Sequence, residues 1–423
     1  MLIQNGRVID PANECDRILD LRIEDGRIQE AAAGLSARPG EETLDAAGLC
    51  VLPGLVDMHV HLRDPGQTQK EDILSGCEAA AAGGVTSVLC MPNTVPAIDS
   101  EEVIAYIQEK ARQASAHVYV TGAITRGLNG KEPGDFALYR RMGVRAVSDD
   151  GRPVRNAAMM AQALVEAQEN GLLVTSHCED LEIIDGGIVN AGRASEVLGV
   201  KGMHRSSEDT VTAREIILAE THGCPVHIAH VSTRLSVQLI REAKQRGVRV
   251  TAETCPHYFG LTEEEVLGRD ADYRMNPPLR EEADRRAVLR GVLDGTIDCI
   301  VTDHAPHTPE EKAVFETAPN GVIGMETSFS AAYTHLVKPG LLSLSGLVKR
   351  MSLNPARLLG IEAGTLSVGA PADLVLVDLE REWIPDPEQS HSRAKNMIYK
   401  GKTLSAKVVR TFCGGKCVYR ETE

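Results

Sequence analysis

The sequence predicts an α/β fold: a (β/α)8 barrel carrying a small β-sandwich domain built from both chain ends. Three observations predict it. Between residues 53 and 360, short Val- and Ile-rich runs alternate with helical patterns, as βαβ units and a parallel sheet require. Eight such runs occur, the number that closes a barrel of this kind. The two ends, 1–52 and 361–423, read instead as β structure. An open doubly wound sheet would show the same alternation, but no G-x-G-x-x-G follows the first strand.

Each element has its own warrant. In the N-terminal part, Asn5-Gly6 and Asp25-Gly26 are hairpin signals beside alternating runs such as Leu19–Ile23. The barrel strands are expected at Leu55–Leu62, Thr86–Asn93, His117–Ile124, Val144–Asp150, Leu172–Cys178, Val226–Ser232, Arg249–Cys255 and Ile297–Asp303. Helical periodicity marks Glu101–Ser115, Ala157–Asn170, Ser207–His222 and Leu235–Arg246. At the C-terminal end, strands are expected at Ala372–Asp378, Lys407–Arg410 and Cys417–Tyr419, and we expect them to pair with the N-terminal strands.

Composition narrows the function classes. The 423 residues carry 45 Lys and Arg against 60 Asp and Glu, a formal charge of −15. An acidic chain without a basic stripe is a poor nucleic-acid binder. At 43% hydrophobic residues the chain can bury a large core and is not disordered. No window approaches ~18 consecutive apolar residues, so no membrane span is expected. The first residues show no basic leader with an apolar core, so a cytoplasmic protein is expected. The ten cysteines (15, 50, 77, 90, 178, 224, 255, 299, 413 and 417) then read as free thiols. Cys413 and Cys417 form a C-x3-C pair with no second pair nearby, so no zinc knuckle is expected there.

Chemistry-bearing residues fall at predicted strand ends. His59 and His61 end the first strand, Asp149 and Asp150 the fourth, and His177 the fifth. His230 lies near the end of the sixth, and Asp303 ends the eighth. In a barrel the carboxyl ends form the active-site face, so these residues converge on one rim. His59 and His61 are two apart and point to the same side of a strand. Such an H-x-H pair is weak evidence alone, but the set of His and Asp suits zinc or a similar divalent ion. Six ligands exceed the need of one catalytic ion and suggest two, ~3.5–4 Å apart, with a shared carboxylate; one ion is the other reading. Asp149 and Asp150 compete for that bridge. Asp150 is preferred because it lies closer to the strand end and precedes Gly151.

Asp303 is the candidate proton shuttle, with a plain ligand or an N-cap as its alternative role. His307, in the loop beyond, is a better substrate contact than His304, whose side chain should point away from Asp303. Arg63 follows His61 by two and suits a substrate carboxylate, or else a surface salt bridge. Asn93 and Asn276 are candidate substrate contacts or simple turn residues. His117 starts a strand, at the wrong end of the barrel, and His257 is read as structural. The charged stretch 308–320 is expected to be a mobile lid.

The motifs resemble a known family. Pro53–Gly66, which contains His59-Val60-His61-Leu62-Arg63-Asp64-Pro65-Gly66, is similar to the first-strand signature of cyclic amidohydrolases. With Met91-Pro92-Asn93-Thr94, Met275–Arg280, Thr302-Asp303-His304-Ala305-Pro306-His307 and Gly369–Leu376, the chain resembles the long bacterial dihydroorotases across nearly its whole length. The resemblance implies reversible closure of N-carbamoyl-L-aspartate to (S)-dihydroorotate in pyrimidine synthesis, with a metal-held hydroxide as the nucleophile in ring opening. It implies zinc held by His59, His61, Asp150, His177, His230 and Asp303, with Asp303 as general acid and base. It further implies Arg63, Asn93 and His307 on the substrate carboxylate and Asn276 on the ring, with His61 and Gly321 also at the substrate. Hydantoinases and allantoinases are the competing relatives. They bridge their metals with a carbamylated lysine near the end of the fourth strand, where this chain has Ser148-Asp149-Asp150-Gly151. Asn320, before Gly321, stands where an aromatic residue is expected. Some relatives have lost their ligands and serve as partner proteins, but all six positions are filled here. A homodimer is the default assembly, and some family members associate with aspartate transcarbamoylase.

Overall fold

The computed structural model describes residues 1–421. Strand β1 (Leu2–Asp10) runs antiparallel to β2 (Cys15–Glu24), which turns into β3 (Arg27–Ala32). The β2–β3 turn is Asp25-Gly26, with φ of 49° and 74°, the two-residue hairpin predicted from sequence. Asn5-Gly6 is not a hairpin. β1 passes through it with a register shift between Ile3 and Gly6. The Asp20 carboxylate accepts from the Asn5 backbone N–H at 2.8 Å, so that amide leaves the ladder without being orphaned. The chain reverses later, at Pro11–Asn13 and Glu14. Two further strands, β4 (Thr43–Asp45) and β5 (Cys50–Pro53), lie parallel to β1.

The barrel begins with β6 (Leu55–Val60), β7 (Val85–Cys90), β8 (His117–Ala123), β9 (Ala146–Ser148) and β10 (Leu173–Ser176). A short parallel pair follows, β11 (Val189–Asn190) and β12 (Gly202–Met203). The barrel resumes with β13 (Val226–Ile228), β14 (Val250–Thr254) and β15 (Cys299–Ile300). Among the described residues, β6 to β10 and β13 to β15 form one parallel eight-stranded sheet in sequence order. A parallel bridge between Val60 and His304 draws its two edges together, with the His61 N–H donating to His304 O at 2.8 Å. Each predicted barrel strand is present, but several stop short of their predicted carboxyl ends. Arg63, His230 and Asp303 lie just beyond, with φ of 58°, 31° and 51°. Non-glycine residues rarely occupy that region, and here the chain leaves the ladder to turn over the rim.

The helices lie between the strands. Ala157–Asn170 is capped at one end by the Asn156 side chain and at the other by left-handed Gly171. Glu101–Ala111 stops short of Ser115. Ser206–His222 and Arg234–Gln245 each start one residue early. Met58, Val88, Val147, Val174, Ile228, Ala252 and Ile300 are buried in the barrel core.

The C-terminal segment supplies β16 (Leu374–Trp383), β17 (Leu404–Cys413) and β18 (Lys416–Arg420). β16 pairs antiparallel with β5, with Leu374 opposite Pro53 and Val377 opposite Cys50. The two chain ends thus share one mixed sheet, ordered β18-β17-β16-β5-β1-β2-β3 with β4 beside β1. Its core gathers Ile3, Val8, Leu21, Ile28, Val51, Leu374, Leu376 and Phe412.

Candidate active site

His59, His61, Asp150, His177, His230 and Asp303 meet at the carboxyl rim of the barrel, all of them buried. Asp150 lies at the centre. Its Oδ1 is 3.4 Å from His59 Nε2, 3.3 Å from His177 Nδ1 and 3.8 Å from His230 Nε2. Its Oδ2 is 3.5 Å from His61 Nε2. Asp303 Oδ1 lies 3.1 Å from His61 Nε2 and 3.7 Å from His59 Nε2. Two sets of donor atoms, His59–His61–Asp150 and Asp150–His177–His230, are each close enough to hold a metal ion. Burial alone would raise the Asp150 carboxyl, but the surrounding imidazoles hold it well below its usual range.

The outer nitrogens of three rings are fixed from behind. His59 Nδ1 faces Glu253 Oε1 at 2.6 Å, His61 Nδ1 faces Asn93 Oδ1 at 2.8 Å, and His177 Nε2 faces Glu179 Oε2 at 2.9 Å. Each partner oxygen accepts a ring N–H, which turns the other nitrogen's lone pair inward. The inward atoms are then short of partners. His59 Nε2 and Asp150 Oδ1 are buried with no hydrogen bond, and His177 Nδ1 sits 2.8 Å from His230 Nε2. Ring nitrogens crowded around one buried carboxylate, protonated when no metal is bound, become a donor set for a divalent cation once they lose those protons.

Glu253 and Glu179 escaped the sequence reading. Glu253 is a charged residue inside the buried strand β14, and burial of charge without a partner is costly enough to mark it. Glu179 follows His177 by two, the same spacing that marks His59 and His61.

Beside this centre lies a cavity of about 210 Å³ lined by His61, Arg63, Asn93, Asn276, Asp303, His307, Asn320 and Gly321, among others. Arg63 is buried, and its Nε donates to Pro306 O at 3.2 Å. Burial lowers its guanidinium to about 10, so it stays charged. No carboxylate among the described residues pairs with it. Its Nη2 is 3.4 Å from His307 Nε2. His307 Nδ1 faces Glu311 Oε2 at 2.9 Å and Nε2 faces Asn320 O at 3.0 Å, two acceptors of which a neutral ring can donate to only one. Burial and the neighbouring Arg63 hold that imidazole well below its usual range. Asn93 Nδ2 lies 3.4 Å from Asp150 Oδ2, and Asn276 Nδ2 donates to Glu179 Oε1 at 2.9 Å. Gly321 needs to be glycine: a Cβ there would lie 2.6 Å from Ala305 O, and its φ is 149°.

Other candidates sit elsewhere. Asp149 turns away, accepting from the Thr125 N–H at 2.9 Å and from the Thr125 hydroxyl, while burial raises its carboxyl to about 7. His304 faces Glu71 at 3.5 Å and accepts from the Gly324 N–H at 3.2 Å. His257 is buried behind the site, its Nε2 unpartnered, and burial lowers it to about 4. In the 308–320 stretch, buried Lys312 donates to Arg274 O, Pro319 O and Gly321 O at 3.1, 3.0 and 2.9 Å. Phe315 and Ala318 pack with Val189, Leu198 and Val266.

A family model described as dihydro-orotase-like matches residues 48–236. A dihydroorotase of Trichlorobacter lovleyi is 48% identical over 421 residues, covering 99% of each chain. One of Acetivibrio thermocellus is 47% identical over 423 residues, covering 100% of this chain and 99% of its own. Among solved structures, the L-hydantoinase (dihydropyrimidinase) of Arthrobacter aurescens superposes with a TM-score of 0.88 at 26% identity, covering 100% of this chain and 96% of its own. Likeness of that degree over that length places a barrel with this rim in one group of enzymes: the chain belongs to the dihydroorotases, within the cyclic amidohydrolases.

Proposed function

We propose that the rim and its cavity interconvert N-carbamoyl-L-aspartate and (S)-dihydroorotate, with Arg63 reading the substrate carboxylate. One observation carries this reading: Arg63 is a buried, charged guanidinium on the cavity wall with no carboxylate paired to it. A cation so placed is costly unless the substrate supplies the anion. A ring without a carboxylate, such as hydantoin, would leave it unpaired.

His59, His61, Asp150, His177, His230 and Asp303 would hold two zinc ions, Asp150 being the residue common to both sets of donors. When bound, such ions lower the pKa of a water and polarise the ring carbonyl. In ring opening, Asp303 Oδ1 takes a proton from the attacking water and passes it to the leaving ring nitrogen. In closure it takes the proton from the attacking carbamoyl nitrogen and gives it to the departing oxygen of the side-chain carboxyl group, which brings a second proton taken up from solvent, so one water is lost. Arg63 grips the carboxylate, supported by Asn93 and His307. Asn276 contacts the ring, and the backbone at Gly321 lines its far side with His61 opposite. Residues 53–360 make the catalytic domain, and 1–52 with 361–423 the accessory one. The enzyme works as a cytoplasmic homodimer, and aspartate transcarbamoylase is the partner to test. Among the described residues no helix is long and apolar enough to cross a membrane.

The test follows ring opening of dihydroorotate, dihydrouracil, hydantoin and allantoin on zinc-loaded protein, with metal content measured on the same sample. Preference for dihydroorotate that is lost in Arg63→Lys supports the reading. Preference for a ring without a carboxylate overturns it.

A further inference from the structure

A third cluster of potential ligands lies at the other end of the barrel. His117 opens β8, at the amino end of its strand, whereas the active-site residues sit at carboxyl ends. Asp373 immediately precedes β16, and Cys413 closes β17. One donor atom from each lies within 4.8 Å of the other two. The three therefore join the barrel to the terminal sheet.

The cluster is held in place. His117 Nε2 lies 3.1 Å from Asp373 Oδ2 and 3.3 Å from Oδ1. Asp373 is buried, and its Oδ1 accepts from the Gly414 N–H at 2.6 Å. The next amide, Gly415 N–H, donates to Ala372 O at 3.0 Å, so the turn after Cys413 is pinned to the segment that carries Asp373. The Cys413 thiol makes a weak contact with Thr86 O at 3.9 Å and also interacts with His117. The His117 side chain is 44% exposed, so an ion can reach the cluster without opening the fold. No other cysteine among the described residues belongs to such a group.

We propose that His117, Asp373 and Cys413 bind a zinc-class divalent cation that clips the terminal sheet to the base of the barrel. Imidazole, carboxylate and thiolate are each zinc ligands, and water fills a fourth position. Carboxylate and thiolate together balance the two positive charges. Asp373 and Cys413 raise the His117 imidazole to about 10, so on binding both the thiol proton and the imidazolium proton leave to solvent as the sulfur–metal and nitrogen–metal bonds form, with no change of oxidation state. The donor set differs from the active site in one useful way: only this cluster contains sulfur.

The test loads the metal-free full-length protein with cobalt(II) and records the near-ultraviolet spectrum. The active-site residues offer cobalt only nitrogen and oxygen, so a thiolate-to-cobalt charge-transfer band reports this cluster. The band is expected in the parent protein and in Cys417→Ser, which removes the exposed thiol nearby, and lost in Cys413→Ser. Elemental analysis of zinc-loaded protein should show one zinc fewer per chain in Cys413→Ser and in His117→Ala, with dihydroorotate ring opening unchanged. Absence of the band in the parent, or its survival in Cys413→Ser, overturns the proposal and leaves the cluster as a His117–Asp373 ion pair.

Discussion

His59 Nδ1 lies 2.6 Å from Glu253 Oε1, although 194 residues separate the two in the chain. The other Glu253 oxygen lies 3.1 Å from His227 Nε2. Burial opposes charge on Glu253, yet the two imidazoles bring its carboxyl down to about 2. It is therefore a carboxylate, it accepts a hydrogen bond from the His59 Nδ1–H, and it turns His59 Nε2 toward Asp150.

Glu253→Gln keeps the shape and removes the charge. Metal affinity should fall ~10–100-fold, as partners behind a ligating histidine commonly contribute. A competition titration with a chromophoric chelator measures it. Unchanged affinity would make Glu253 a packing residue.

Asp150→Asn should strip bound metal, whereas Asp149→Asn should retain it. Only Asp150 touches both groups of imidazoles, while Asp149 is committed to Thr125. Elemental analysis of the two variants decides, and the opposite pattern would exchange their roles.

Asp303→Ala should keep its circular-dichroism spectrum and lose ~10²–10⁴-fold in kcat, the usual contribution of a positioned general acid and base. Turnover like that of the parent would remove Asp303 from proton transfer.

Arg63→Lys should raise KM for N-carbamoyl-L-aspartate roughly tenfold, ~1.4 kcal/mol, because an ammonium cannot make the forked contact. Steady-state kinetics in the cyclising direction reads this directly. A KM like the parent's would point to another carboxylate partner.

Lys312→Met should open the 308–320 stretch to protease, because the three carbonyls that Lys312 holds would lose their donor. In the parent, saturating dihydroorotate should slow cutting there. Mass spectrometry of the fragments locates the cuts. Equal cutting with and without ligand would refute closure of this segment over substrate.

The sequence by itself determined the alternation of strands and helices and the gathering of His59, His61, Asp150, His177, His230 and Asp303 at one rim. These features are local. A strand's period of two and its carboxyl end can be read within a few residues, and barrel closure then brings the ends together. The pairing of β5 with β16 was an inference from β pattern alone, because no local signal records which distant strands meet.

Tertiary structure alone decided the finer matters. Asn5-Gly6 carries a strong hairpin signal, yet Asp20 from the neighbouring strand satisfies the Asn5 amide and makes the pair a bulge. Glu253 and Glu179 became visible as partners only when packing set them behind His59 and His177. His117, at the wrong end of its strand for the rim, gained Asp373 and Cys413 as neighbours through the seating of the terminal sheet. Each of these depends on a contact between residues far apart in the chain. Buried polar atoms must find partners once water is excluded, and which partner is in reach is settled by register and packing rather than by local pattern.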